Sequence, residues 1–332
     1  IIIPAYKSDD TIGSCIESVK RLDYPRKEII VINDSRDRTP EICRKLRVRC
    51  IQNRKRLGKP GALNEGIKHS RGEILFLIDA DTIASRDVIK KCIAWFHDKK
   101  TAAVMPGYRT SNRKGFAKLV SIENSITLAL VRMNLFFGSM LGYRGCGVLM
   151  RKSVVKKLGG FPSTLMEDND FSARIIKAGY RIRFEPSTSV MTREPENLRE
   201  LGKQKMRWGK GALFTFLRHH DLYMKSPQFL LYFFPYIFLG IVVSLTMAYN
   251  VFLILLHPSL SGILSLITMI VLLTLAAFVH ILVLLGNERS PASILLFILL
   301  YTPVVCFFYT RGILSGIKAK REKKPELDLS DW

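Results

Sequence analysis

The chain has 332 residues, enough for roughly two domains, and its 51 Lys and Arg against 28 Asp and Glu give a formal net charge of +23. The excess is unevenly placed: residues 226–310 hold only Glu288 and Arg289 as charged side chains, residues 311–332 carry six basic and four acidic groups, and the first 225 residues carry +21. A basic face of this size suits nucleic acid, anionic lipid head groups or phosphorylated substrates. Nucleic acid is set aside, because no aromatic-basic recognition motif accompanies the charge.

The chain opens on Ile1-Ile2-Ile3-Pro4-Ala5-Tyr6, which reads as the end of a buried strand, with no initiator Met and no signal peptide. The expectation is of a natural start further upstream, with room there for a membrane segment. Apolar runs at 1–3, 29–32 and 74–78 alternate with helix-like stretches at 11–20, 41–46 and 60–69. Strand-helix-strand order of this kind implies an α/β fold with a mostly parallel sheet covered by helices. Ligands of such sheets bind beyond the carboxyl ends of the strands, where Asn33-Asp34-Ser35 and Asp79-Ala80-Asp81 both fall.

Beyond Arg151 the pattern turns more helical, with helices expected at 167–178 and 197–219 and a short strand at 180–184. Residues 229–256 then run for 28 positions without a Lys, Arg, His, Asp or Glu, about 42 Å as a helix against roughly 30 Å of hydrocarbon. A second apolar segment, 262–285, is interrupted only by His280, and a third, 294–310, contains Pro303. Three such runs point to an integral membrane domain of two to three spans. With a cytosolic catalytic portion, three full spans would place the Lys318–Lys324 basic cluster on the far side, against the positive-inside tendency. A re-entrant or interfacial third segment, or a first segment broken at Pro235, would remove the conflict. The six cysteines form no CxxC pair and have no His at metal-ligand spacing, which fits a reducing compartment.

Asp79 and Asp81 are two residues apart, so on a regular strand both carboxylates face one way. Such a pair can hold Mg²⁺ or Mn²⁺ against a diphosphate, although an isolated Asp-Ala-Asp is more often a solvated loop. Asp34 can accept from a base imide or a ribose hydroxyl, or can simply close an Asx turn. Lys59-Pro60-Gly61-Ala62-Leu63-Asn64 sets a cation, a Gly and a helix start together, a usable phosphate or ribose contact or an ordinary loop-to-helix junction. Glu167-Asp168-Asn169-Asp170 opens a helix, where acidic residues complement the dipole. One of them can also serve as general base for an attacking hydroxyl: Asp168 is the first choice, Glu167 the second, and Asp170 reads as structural. Gln204, Arg207 and Trp208 lie at i, i+3 and i+4 and share a helix face, which offers a guanidinium fork to phosphate and an apolar plane to a sugar. The same helix has the amphipathic pattern of one lying in a lipid interface.

Seven motifs in order make the chain resemble the processive branch of the inverting family 2 glycosyltransferases, such as hyaluronan, chitin-oligosaccharide, poly-N-acetylglucosamine and cellulose synthases. They are Pro4-Ala5-Tyr6, Asn33-Asp34-Ser35, Lys59 to Gly66, Asp79-Ala80-Asp81, Gly145-Cys146-Gly147, Glu167-Asp168 and Gln204-x-x-Arg207-Trp208. The resemblance implies a GT-A, Rossmann-like catalytic domain over 1–195, an amphipathic interface helix over 196–225, a helical transmembrane domain over 226–310 and a basic tail over 311–332. It implies that Asp34 contacts uracil, Asp79 and Asp81 bind diphosphate and metal, and Gly145 to Gly147 border the acceptor. Asp168 is then the base, and the Gln204 helix binds diphosphate and acceptor sugar. Met166 stands where a Thr commonly precedes the Glu-Asp pair, and Cys146 where Ser is frequent; both departures bear on the acceptor.

The expected activity is metal-dependent, inverting transfer from a UDP-sugar to a growing polysaccharide, coupled to export, at the cytoplasmic face of the cell membrane. Single transfer to a membrane lipid (ceramide, diacylglycerol or polyprenyl phosphate) and non-catalytic nucleotide-sugar binding are the alternatives. The sequence carries no signal for an oligomeric state.

Overall fold

The computed structural model describes residues 1–112, 114–230 and 291–322, with scattered positions between 249 and 277. Most of the apolar segment 229–256 and more than half of 262–285 lie outside the described residues. Strands β1 (Ile2–Ala5), β2 (Ile30–Asn33), β3 (Arg49–Gln52), β4 (Ile74–Ile78), β5 (Thr82–Ala84), β6 (Thr101–Thr110), β7 (Gly147–Arg151) and β8 (Arg181–Thr192) form one sheet in the order β3-β2-β1-β4-β7-β6-β8-β5. β3, β2, β1 and β4 pair in parallel, as the alternation of apolar runs and helices implies. β7 then runs antiparallel to both β4 and β6, and β8 returns parallel to β6 and antiparallel to β5. Because β7 is reversed, its amino end meets the carboxyl ends of β1, β2, β4, β6 and β8 at one edge, and the candidate site lies there.

Helices α1 (Ile12–Lys20), α2 (Thr39–Lys45), α3 (Gly58–His69) and α4 (Val88–Ile93) connect the first half of the sheet. Ile2, Ile3, Ile12, Ile16, Val31 and Ile32 are fully buried between these layers. Burial of side chains this size stabilises the fold by about 1.5–3 kcal/mol each.

One long strand, β6, was not among the expected elements, and another, β8, runs beyond its expected end. β6 contains Pro106-Gly107, a dipeptide that reads as a turn, yet the strand continues through it. Its register with β8 slips between Pro106 and Gly107, so the missing proline N–H falls at an irregularity in the ladder. β8 runs for 12 residues where a strand of five, at 180–184, was expected, with Pro186 inside the same irregularity.

The second half carries α5 (Ala117–Asn134), α6 (Lys152–Lys157), α7 (Glu167–Lys177) and α8 (Leu198–Tyr223). Asn197 caps α8 by accepting from Glu200 N. Asp170, fully buried on α7, pairs with Arg174, Arg218 and His219 and so fastens α7 to the far end of α8.

Pro291–Arg321 forms one helix of 31 residues, α9, the one described helix long and apolar enough to cross a membrane, with a mean hydropathy of 2.2 over its best stretch. A π-turn at Phe297–Tyr301, in which Thr302 N donates to Phe297 O, absorbs the donor that Pro303 lacks. α9 does not leave the catalytic unit. Its first turns pack Ile294, Phe297 and Tyr301 against Val120, Ile122 and Ile126 of α5. Its later turns lie along α8, where a Cβ on Gly312 would stand 2.2 Å from Met206 O and one on Gly209 2.2 Å from Tyr309 O. The helix continues past residue 310 without a break, so its later turns lie beside α8.

Candidate active site

The site is a cavity of about 880 Å³ at the shared sheet edge. At one end, Pro4, Ala5 and Tyr6 leave β1 and Asp34 leaves β2, all lining the cavity. The buried amide of Asn33 sets the Asp34 loop: its Nδ2 donates to Ser35 O at 2.9 Å and to Gln52 Oε1 at 3.0 Å, and its Oδ1 accepts from Ser35 Oγ at 2.9 Å. Asp34 Oδ1 accepts from Asn53 Nδ2 at 2.5 Å, and Oδ2 accepts from Leu57 N at 2.9 Å. The Arg56 guanidinium lies 3.9 Å from the Tyr6 ring centroid. Aromatic, guanidinium and carboxylate together match a planar base with N–H donors on its edge.

At the centre, Lys59 Nζ lies 2.6 Å from Asp79 Oδ1 and 3.4 Å from Glu167 Oε1, and it donates to Gly145 O at 3.3 Å. Burial works against the Lys59 charge, but Asp79 and Glu167 outweigh it and hold the ammonium pKa above its usual value. Thr82 Oγ1 donates to Asp81 Oδ1 at 3.1 Å. Burial, reinforced by the charge of Asp79, pushes the Asp81 carboxyl up to about 6. Two adjacent carboxylates, one already held by Lys59 and the other reluctant to ionise, are a donor set that a divalent cation would relieve. Among the described residues no group of three or more His, Cys, Asp or Glu is arranged to hold a metal. Two carboxylates would leave the rest of such an ion's shell to other ligands, a condition that Mg²⁺ tolerates.

Next to this cluster the first turn of α7 meets the turn before β7. Gly145 N donates to Asp168 Oδ2 at 2.9 Å. A Cβ on Gly145 would lie 3.1 Å from Lys59 Nζ and 3.2 Å from Asp168 Oδ2, so a side chain there crowds both. Burial, opposed by Lys59 and reinforced by Asp168, pushes Glu167 up to about 7. Burial also pushes the Cys146 thiol up to about 12, leaving it protonated at neutral pH.

α8 closes the other end with Gln204, Arg207 and Trp208. Trp208 is held by cations, with Lys205 Nζ 4.2 Å and Arg144 Cζ 5.8 Å from its ring. Lys205 Nζ donates to both oxygens of Glu123 at 2.7 Å, and the Tyr301 hydroxyl of α9 donates to the same carboxylate. Burial lowers the Lys205 pKa, whereas Lys205 and Tyr301 overcome burial and hold Glu123 below the usual carboxylate range. Arg144 Nη2 donates to Glu194 Oε1 at 2.5 Å, and Arg144 Nη1 donates to Asn124 Oδ1 at 2.5 Å.

Of the residues singled out in the sequence, Pro4, Ala5, Tyr6, Asp34, Lys59, Asp79, Asp81, Gly145, Cys146, Glu167, Asp168, Gln204, Arg207 and Trp208 line this one cavity. Gly61, Asn64 and Gly147 do not. The Asn64 amide brackets the Phe161 backbone, donating to its O and accepting from its N, both at 2.8 Å. Gly61 sits inside α3, and Gly147 is the first residue of β7, where a Cβ would press on Val190 at 3.1 Å. Sequence reasoning missed Arg144, Glu194, Glu123, Asn124 and Arg56. Of these only Arg144 carried a signal, its adjacency to Gly145-Cys146-Gly147.

Residues 1–159 match the family described as Glycosyl transferase family 2. The poly-beta-1,6-N-acetyl-D-glucosamine synthase of Staphylococcus aureus is 33% identical over 243 residues, and that of Staphylococcus epidermidis 31% identical over 240. Each similarity takes in 70% of this chain and 58% of the relative, so the chain spans less than two thirds of the curated relatives it matches. A mannosyltransferase from Pyrobaculum calidifontis, solved in complex with GDP-Man and Mn²⁺, shares the fold with a TM-score of 0.62 at 19% identity, over 96% of this chain and 86% of that one. The GT-A type α/β fold and the family match over residues 1–159 agree, and the chain belongs to glycosyl transferase family 2.

Proposed function

We propose that the chain transfers a sugar from a UDP-sugar to a hydroxyl of a growing polysaccharide, in one inverting displacement at a membrane surface. The observation that carries this reading is the convergence of Asp34, Asp79, Asp81, Asp168 and Trp208, drawn from four separate parts of the chain, on one cavity. Tyr6, Arg56 and Asp34 would take the base. Asp81 and Asp79 would hold Mg²⁺ or Mn²⁺, a Lewis acid for the leaving diphosphate, and the named Mn²⁺ complex of the structural relative supports that choice. Arg207 and Gln204 would hold phosphate oxygens, and Trp208 would carry the acceptor sugar.

Asp168 would take the proton of the attacking hydroxyl. Its Oδ2 accepts from Gly145 N and its Oδ1 from Asn169 N at 2.9 Å, so both oxygens are fixed and each keeps a lone pair for the incoming proton. Lys59, bonded to Asp79 and to the Gly145 carbonyl, keeps the donor side and the base side in register.

α9 and the apolar segments 229–256 and 262–285 support attachment to a membrane, with the cavity on the cytoplasmic side beside α8. The contact of α9 with α8 favours an interfacial course for the third apolar segment, which keeps the basic tail with the basic catalytic unit. The names of the staphylococcal relatives support an N-acetylglucosamine polymer as product. The test is the full chain in detergent with a panel of UDP-sugars and Mn²⁺ or Mg²⁺, followed by sizing of the radiolabelled product. Release of UDP with a polymeric product is expected. A single-sugar lipid would replace the polysaccharide acceptor, and no UDP release with any donor and acceptor would sink the reading.

A further inference from the structure

Glu194 stands where β8 hands over to α8. Its backbone is fixed in both directions by Asn112: Glu194 N donates to Asn112 Oδ1 at 2.9 Å, and Asn112 Nδ2 donates to Glu194 O at 2.7 Å. The side chain is 1% exposed. Its Oε1 accepts from Arg144 Nη2 at 2.5 Å and from Asn124 Nδ2 at 3.0 Å. Its Oε2 is buried and has no hydrogen-bond partner among the described residues, although the residue lines the cavity beside Asn124, Gln204 and Trp208. Gln204 Oε1, at the same end, is also buried without a partner among the described residues.

Two fixed acceptor oxygens without donors are an unfavourable arrangement unless the working complex supplies what they lack. A carboxylate can only accept, so its complement must donate. Sugar hydroxyls and acetamido N–H groups donate; a phosphate diester or a carboxylate at neutral pH does not. Two of the cations at this end are already matched, Arg144 with Glu194 and Lys205 with Glu123, and Arg207 is the one the transferase reading gives to the donor phosphate. Resting on the transferase reading above, we infer that Glu194 is a specificity-determining residue of the acceptor subsite. Its Oε2 receives a hydroxyl or amide hydrogen of the acceptor sugar placed at Trp208, so the subsite favours a hydrogen-bond donor over a bare phosphate or carboxylate.

The test measures binding separately from turnover. The full chain in detergent is titrated calorimetrically with a β-1,6-linked N-acetylglucosamine tetrasaccharide and with analogues lacking one terminal-sugar hydroxyl at a time. In the wild type one deletion should weaken binding about 10- to 100-fold, the range for a hydrogen bond to a charged group. In Glu194→Gln, whose amide can offer a donor where the carboxylate accepted, the intact tetrasaccharide should bind more weakly by a similar factor. The sensitive analogue should then lose nothing further. UDP affinity, read in the same preparations, should stay within about twofold. If every analogue loses as much in the variant as in the wild type, Glu194 only holds Arg144, or a water fills its Oε2, and the inference fails. It fails equally, without recourse to the variant, if no deletion weakens binding to the wild type or if the tetrasaccharide does not bind. Saccharide binding without any UDP release would instead sink the transferase reading while leaving the role of Glu194 to the titration.

Discussion

Gly145 N donates to Asp168 Oδ2 at 2.9 Å, and the Gly145 carbonyl accepts from Lys59 Nζ at 3.3 Å, so one peptide segment before β7 touches both the proposed base and the cation that holds Asp79. The donor half and the acceptor half of the site are thus coupled through a residue without a side chain.

Gly145→Ala should therefore impair turnover more than folding. The added Cβ would lie 3.1 Å from Lys59 Nζ and 3.2 Å from Asp168 Oδ2, at the rim of a cavity rather than in the core. Displacing reacting groups by a fraction of an ångström to an ångström costs up to about 100-fold in rate. UDP release should fall by about that factor while the thermal midpoint moves little. A large drop in midpoint with normal turnover in the folded fraction would make Gly145 a folding residue instead.

Asp168→Asn keeps the shape and removes the basic oxygen. Transfer should fall by about 10²- to 10⁴-fold, the usual worth of a positioned general base, with UDP affinity by calorimetry largely kept. Near-normal turnover would remove Asp168 from that role. Glu167, whose carboxyl burial and the Asp168 charge push up to about 7, would then be the next candidate.

Asp81 gives a pH dependence with a definite sign. Its pKa is raised to about 6, so the carboxylate that a divalent cation needs is present above that pH and lost below it. Mn²⁺ affinity, measured by titration with a UDP-sugar present, should rise from pH 5 to about 7 and then level off, with a slope of about tenfold per unit on the acid side. Asp81→Asn should weaken binding and flatten the profile. An unchanged profile in the variant would assign the titration to another group.

How far the fold was legible follows from what each element shows on its surface. β1, β2 and β4 are continuous apolar runs buried on both faces, and their helices carry periodic apolar stripes, so the parallel half could be read directly. β6 and the second half of β8 were hidden because Pro106-Gly107 and Pro186 carry turn-like signals, and in the paired ladder both strands continue past them through a register slip. The site shows the same division. Asp79, Asp81, Asp168 and Trp208 sit in short local patterns that the eye can find. Glu123, Arg144, Glu194 and Tyr301 come from four distant stretches, and their charges are matched only after folding brings them together.

That buried network predicts an order of stabilities. Glu123→Gln would leave the Lys205 ammonium, 1% exposed, without its carboxylate, a loss of about 3–5 kcal/mol for a broken buried pair. Tyr301→Phe removes one donor to a carboxylate that still keeps Lys205, a loss of about 1–3 kcal/mol. Thermal midpoints in one detergent should fall in that order. Equal midpoints for wild type and Glu123→Gln would show that solvent reaches Lys205 in solution.

The contact of α9 with α8 makes the last prediction. Gly312 and Gly209 let the two backbones approach closely, for a Cβ on either would stand 2.2 Å from a carbonyl oxygen of the other helix. Because the obstacle is backbone, no rotamer change relieves it, and Gly312→Ala must push the helices apart. Overpacking of this kind costs about 1–3 kcal/mol or more. α8 carries Gln204, Arg207 and Trp208 on the same stretch, so the displacement should raise the acceptor KM along with lowering the thermal midpoint. Leu314→Ala, at a side chain 60% exposed on the same helix, should change neither by more than about 0.5 kcal/mol. If Gly312→Ala behaved like Leu314→Ala, α9 would not be seated on α8 in solution. The tail beginning at Arg311 would then be free to lie on the other side of the membrane.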